Sequence, residues 1–172
     1  MKILPAISES SSVFSYNRSG VAGSDKLKVS QDGLNIVNTL REALTRVGFE
    51  PPFLLVGHSL GGLYVKLYAR LYPKEVAGLV FLESSTTKGI SLNEYQGQAV
   101  KTINKMFKVF DSLSSHKQFS EVNFVEKTIN QIHLTDTFPE IPVLCHYWWT
   151  RKSNEARGSS KKNDLRINWN YF

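Results

Sequence analysis

Gly57-His58-Ser59-Leu60-Gly61 sets a serine midway between two glycines, the pattern G-x-S-x-G. Chance produces so short a pattern often, and its meaning rests on a strand before it and a helix after it. A serine hydroxyl attacks a carbonyl only when it is exposed, oriented and deprotonated by a neighbouring base. A tight strand-to-helix turn supplies the orientation by holding the serine in a strained backbone at the sheet's C-terminal edge. On this reading glycine is needed at both Gly57 and Gly61, because side chains there would clash within the turn. Gly62 extends the small surface that lets the helix approach the sheet. The helix start beneath Ser59 directs amide hydrogens at the reaction centre, which makes the Leu60 N–H the expected oxyanion donor.

The flanking elements are written in the hydrophobic pattern. Phe53-Leu54-Leu55-Val56 is a continuous apolar run of strand length, as expected for a strand covered on both faces. After the glycines, Leu63, Val65, Leu67, Tyr68 and Leu71 follow a helical pattern that Pro73 stops. Val76-Ala77-Gly78-Leu79-Val80-Phe81-Leu82 is a second buried strand, completing a βαβ unit and implying a parallel sheet with helices on its faces. Upstream, Leu34, Val37, Leu40, Leu44 and Val47 predict a helix capped by Ser30 or Asp32 and ended by Gly48. Val13-Phe14-Ser15-Tyr16 reads as a short buried strand leading into a polar, glycine-bearing loop. Two amphipathic helices are expected downstream. One carries Val100, Ile103, Phe107 and Phe110, the other Val122, Val125, Ile129 and Ile132. Ile141-Pro142-Val143-Leu144-Cys145-His146-Tyr147-Trp148-Trp149 predicts a third strand.

Pro52-Phe53-Leu54-Leu55-Val56-Gly57-His58-Ser59-Leu60-Gly61-Gly62-Leu63-Tyr64-Val65 resembles the elbow region of α/β-hydrolase esterases and lipases. Tyr16-Asn17-Arg18-Ser19-Gly20-Val21-Ala22-Gly23-Ser24-Asp25 is similar to the family's D-R-x-G-x-G-x-S-D segment, with Asn17 for the usual aspartate and Ala22 for the usual glycine. Tyr72 to Ser85 resembles the next helix end and strand. The resemblance implies a single α/β domain over 1–172, with an incomplete parallel-sheet α/β-hydrolase core and a helical lid insertion at about 91–137. It further implies Ser59 as nucleophile, ester hydrolysis as the reaction, a small ester-like substrate, and no metal or organic cofactor.

The triad's other members are less legible. The family places its histidine after the last strand, and none of the four histidines stands there. His58 neighbours the serine in a variable position and is expected to point away from it. His116 and His133 fall in the lid region, and His146 lies in a strand pattern. Glu83, at the end of the second strand, matches one family position for the acid, and the alternative lies near Asn154 and Glu155. The chain reads as truncated at both ends, lacking a strand between the Val13–Tyr16 segment and Phe53–Val56. A hydrolase scaffold that has lost its chemistry and acts as a binding module is the rival reading.

Bulk properties fit one globular domain, with 172 residues, 41% hydrophobic and 12% aromatic. The single cysteine, Cys145, excludes an internal disulfide framework and a cysteine-clustered zinc site. The formal charge of +6 gathers towards the C-terminus without zinc-finger spacing or aromatic-interleaved RNA motifs, so a nucleic-acid partner is not expected. The longest apolar run is far too short to cross a bilayer, and the apolar start at Ile3-Leu4-Pro5-Ala6-Ile7 is cut off before forming a signal peptide. A cytoplasmic protein is the default expectation.

Overall fold

The computed structural model describes residues 3–20, 24–25, 28–84, 121–135 and 137–146. Their organising element is a three-stranded parallel sheet, β1 (Phe53–His58), β2 (Val76–Leu82) and β3 (Val143–His146), in the order β1-β2-β3. In-register rows run across it. Leu55, Leu79 and Val143 form one row, and Gly57, Phe81 and Cys145 another. All six are buried. The alternate positions project from the opposite face, where Leu54 and Val56 are 65% and 51% exposed, so β1 is covered on one face and not on both as its continuous apolar run suggested.

Among the described residues, three helices follow the short N-terminal helix α1 (Ile3–Ser8), which the sequence pattern did not announce. They are α2 (Gly33–Arg46), α3 (Gly61–Leu71) and α4 (Val125–His133). α3 packs on β1 and β2 and is flanked by α2 and α4. It is buried all round, with every residue from Gly62 to Ala69 removed from solvent. Leu63, Leu67 and Tyr68 on α3 join Ile36 and Val37 of α2 and Ile129 and Ile132 of α4 in the core. Each such side chain contributes roughly 1.5–3 kcal/mol of burial free energy. A 3₁₀ turn at Pro73–Glu75 follows α3, where the proline ends the helical run.

α2 begins and ends as its residues dictate. Of the two expected caps, Asp32 is the one used, accepting from the Asn35 N–H, and Gly48 follows the helix in the left-handed region at φ 75°. The same Asp32 joins α2 to α4. Its carboxylate accepts from Lys127 Nζ at 2.8 Å and Gln131 Nε2 at 3.0 Å. The Gly33 N–H donates to Thr128 Oγ1 at 2.9 Å and the Leu34 N–H to Gln131 Oε1 at 3.0 Å. The first amides of α2 therefore find acceptors on α4. Burial opposes ionisation of Asp32, but these donors, with Ser30 Oγ and the Asn35 N–H, outweigh it and hold the carboxyl at about 2.

The strand expected at Val13–Tyr16 is absent. The segment is instead held through its aromatic rings, Phe14 stacking on Tyr16 at 5.7 Å between centroids and meeting Phe49 at 5.8 Å. Its apolar pattern marks a segment that packs, whereas a strand also needs a backbone partner, and among the described residues β1 ends the sheet order. The expected helix around Val122–Ile132 is present as a 3₁₀ turn, Glu121–Phe124, followed by α4. α4 falls within the segment assigned to the lid, and here it packs on α2 and α3. The helix expected over 100–110 lies outside the described residues, as does the end of the third strand pattern beyond His146.

Candidate active site

The chain leaves β1 at His58, turns through Ser59 and Leu60, and enters α3 at Gly61. Ser59 has φ 54°, and Glu83, just after β2, has φ 45°. These are the two non-glycine residues with positive φ among those described, and they sit at the C-terminal ends of neighbouring strands. Side chains disfavour this region, so the surrounding structure must enforce it.

Hydrogen bonds do so at Ser59. Its N–H donates to the Leu82 carbonyl at 3.3 Å, and its carbonyl accepts from the Gly62 N–H at 3.1 Å and Ser84 Oγ at 3.3 Å. Ser59 is buried, 8% exposed, rather than open at the surface. Leu60 is the N-cap of α3, in helical conformation and without a side-chain cap bond. Amides at a helix start have no acceptor within the helix, and the helix field there favours negative charge.

The glycines divide differently from expectation. A Cβ on Gly57 would lie 2.8 Å from Gly62 Cα and 2.8 Å from Val65 Cγ2, so the strand and helix meet too closely for a side chain. A Cβ on Gly62 would run into the Ser84 hydroxyl and approach Ser84 Cβ to 2.7 Å. Gly61, expected to be equally constrained, has open space around it. The crowding falls on the helix face turned to the sheet, and Gly61 lies off that face.

Glu83 is exposed at the end of β2, with its N–H donating to the His146 carbonyl at 2.9 Å. His58 and His146 belong to one cross-strand row with Leu82 between them, on the face opposite the helices. His58 is exposed there, and His146 is half-buried. His133, the last residue of α4, is exposed. His116, Asn154 and Glu155 lie outside the described residues.

Two features escaped the sequence reading. Ser84 lay within the Tyr72–Ser85 segment but was given no role there, and only its packing against Gly62 and Ser59 reveals one. The second is a polar cluster one helical turn along α3. Arg18 pairs with Glu121 at 2.8 Å, the Tyr64 hydroxyl donates to Glu121 Oε2 at 3.2 Å, and the Arg18 guanidinium lies 5.5 Å from the Tyr64 ring centroid. Burial, and then the Glu121 carboxylate, push the Tyr64 phenol well above its usual value, so it stays protonated and donates. Arg18 lay within the quoted Tyr16–Asp25 segment, but Glu121 stood in no motif.

No described helix is long and apolar enough to cross a membrane. The sequence model of the alpha/beta hydrolase fold matches residues 1–135. Among curated proteins, the chain is 26% identical over 127 residues to the uncharacterized protein YbdG of Bacillus subtilis, covering 70% of this chain and 38% of that protein. It is 28% identical over 86 residues to an uncharacterized protein of Schizosaccharomyces pombe, covering 50% of this chain and 16% of that one. The chain thus spans well under half the length of these relatives. A solved structure, the monoacylglycerol lipase of Paleococcus ferrophilus, superposes with a TM-score of 0.48 at 19% identity, covering 76% of this chain and 60% of that one. With the family model covering most of its length and a parallel sheet layered with helices, the chain belongs to the α/β-hydrolase family.

Proposed function

We propose that this chain carries the nucleophile of a serine hydrolase acting on carboxylic esters of small molecules. The observation that carries the reading is the positive φ of Ser59 at the turn from β1 into α3. That backbone is the one a G-x-S-x-G nucleophile elbow uses, and a serine without a task there is under no demand to keep it. Ser59 Oγ attacks the ester carbonyl carbon, and the carbonyl oxygen takes up the charge facing the Leu60 N–H. The serine proton passes to an imidazole, which returns it to the departing alcohol, and water then cleaves the acyl-serine by the same route. Glu83 is the carboxylate that orients the imidazole. The base is assigned to none of the described histidines, since His58 and His146 stand in the outward row and His133 is the exposed last residue of α4. The chemistry calls on no metal or organic cofactor.

That placement of the histidines is also the observation favouring the second reading, a hydrolase scaffold that binds a partner without turning it over. Hydrolysis of p-nitrophenyl acetate and butyrate by the chain, beside Ser59→Ala, separates the two. The first reading predicts turnover that the substitution removes, and equal rates from both proteins would leave the scaffold reading standing.

A further inference from the structure

Ser59 owes its conformation to the exit of β2 as much as to its own turn. Its N–H is taken by the Leu82 carbonyl, and its carbonyl, with two lone pairs, accepts from the Gly62 N–H and from Ser84 Oγ. Ser84 is buried, and its hydroxyl fills the space where a Cβ on Gly62 would stand. Glu83 at φ 45° is what turns the chain so that Ser84 faces inwards beneath Ser59 while Glu83 itself stays exposed. The two backbone strains of the described fold are therefore joined by one side-chain hydrogen bond.

We infer that Ser84 is a positioning residue that fixes the Ser59 peptide, and with it the direction of the adjoining Leu60 N–H, through the hydrogen bond to the Ser59 carbonyl. The Ser59 carbonyl and the Leu60 N–H are two ends of one planar peptide unit, so a hand on the oxygen sets the aim of the hydrogen. Without the Ser84 donor the carbonyl loses its anchor on the β2 exit while keeping the Gly62 N–H, and the peptide can rock about that bond. The consequence is a less well-aimed oxyanion donor in the transition state, with the identity and protonation of the base untouched. This inference rests on Ser59 being the nucleophile.

The test uses the whole chain with Ser84→Ala, Ser84→Cys as a near-isosteric weak donor in case the alanine variant does not fold, and Ser84→Thr, which keeps the hydroxyl. Two quantities are read: the carbonyl carbon shift of Ser59 by NMR, and the rate of labelling by a fluorophosphonate across pH. Loss of one neutral hydrogen bond predicts labelling slowed by roughly three- to tenfold. It also predicts an unchanged pH midpoint, a shifted Ser59 carbonyl, and recovery of both in Ser84→Thr. An unmoved carbonyl resonance overturns the inference, as does a moved resonance with labelling at the original rate. If the unsubstituted chain takes no label, the nucleophile reading is what has failed. The carbonyl shift alone then supports or overturns the hold of Ser84 on the turn.

Discussion

At Ser59 the backbone is held about 1–2 kcal/mol above its ordinary conformations, and neighbours on two elements hold it there. The glycines around it separate space from conformation. Gly62→Ala drives a Cβ into Ser84 and is expected to destabilise the chain by about 1–3 kcal/mol, with probe labelling lost in parallel. Gly61→Ala, in open space at the start of α3, is expected to leave the melting temperature unchanged or raise it, at most by about 1 kcal/mol in stability. Thermal unfolding of the two variants side by side checks the contrast. The G-x-S-x-G pattern made this turn readable because an apolar strand run changes to a helical period across it. The pattern could not say which glycine is sterically required, since that depends on which one faces β2 and Ser84, a matter of three-dimensional approach.

Between elements, the polar contacts were the least legible part of the chain. Asp32 was readable as a cap from its place before Leu34, whereas its bonds to Lys127 and Gln131 link residues far apart in sequence. Because folding lowers its pKa from the usual 3.8 to about 2, the ionised form favours the folded state. Its contribution is complete above about pH 4 and is lost as pH falls through about 2, roughly 1–2 kcal/mol in all. Denaturant melts between pH 5 and pH 2 are expected to show that decline, with Asp32→Asn less stable at pH 5 and shallower in slope. Glu121 is nearly buried and paired with the partly exposed Arg18. Arg18→Ala leaves a carboxylate with only the Tyr64 hydroxyl and is expected to cost about 2–3 kcal/mol, whereas Arg18→Lys recovers part of it. Equilibrium unfolding of the two variants measures the difference.

Across the whole molecule, helix layer and sheet were legible where periodicity was strong. α2, α3, β1 and β2 stand close to where the apolar spacing put them, because each buries a continuous stripe or run. Residues 13–16 failed as a strand because an apolar run announces burial and says nothing of a pairing partner. The two faces of β1 differ accordingly. Leu55 lies under α3, and Leu55→Ala is expected to cost about 2–4 kcal/mol. Its neighbour Leu54 is 65% exposed, and Leu54→Ala is expected to cost less than about 1 kcal/mol, as chemical denaturation would show. The helix-covered face thus carries the stability, while its C-terminal edge carries the strained turn on which the functional reading depends. The direct measurement is fluorophosphonate labelling of the purified, folded chain followed by peptide mapping, beside Ser59→Ala. A single adduct on Ser59, absent from the variant, is the expected result. A folded chain that takes up no probe, or takes it up equally in Ser59→Ala, would contradict it.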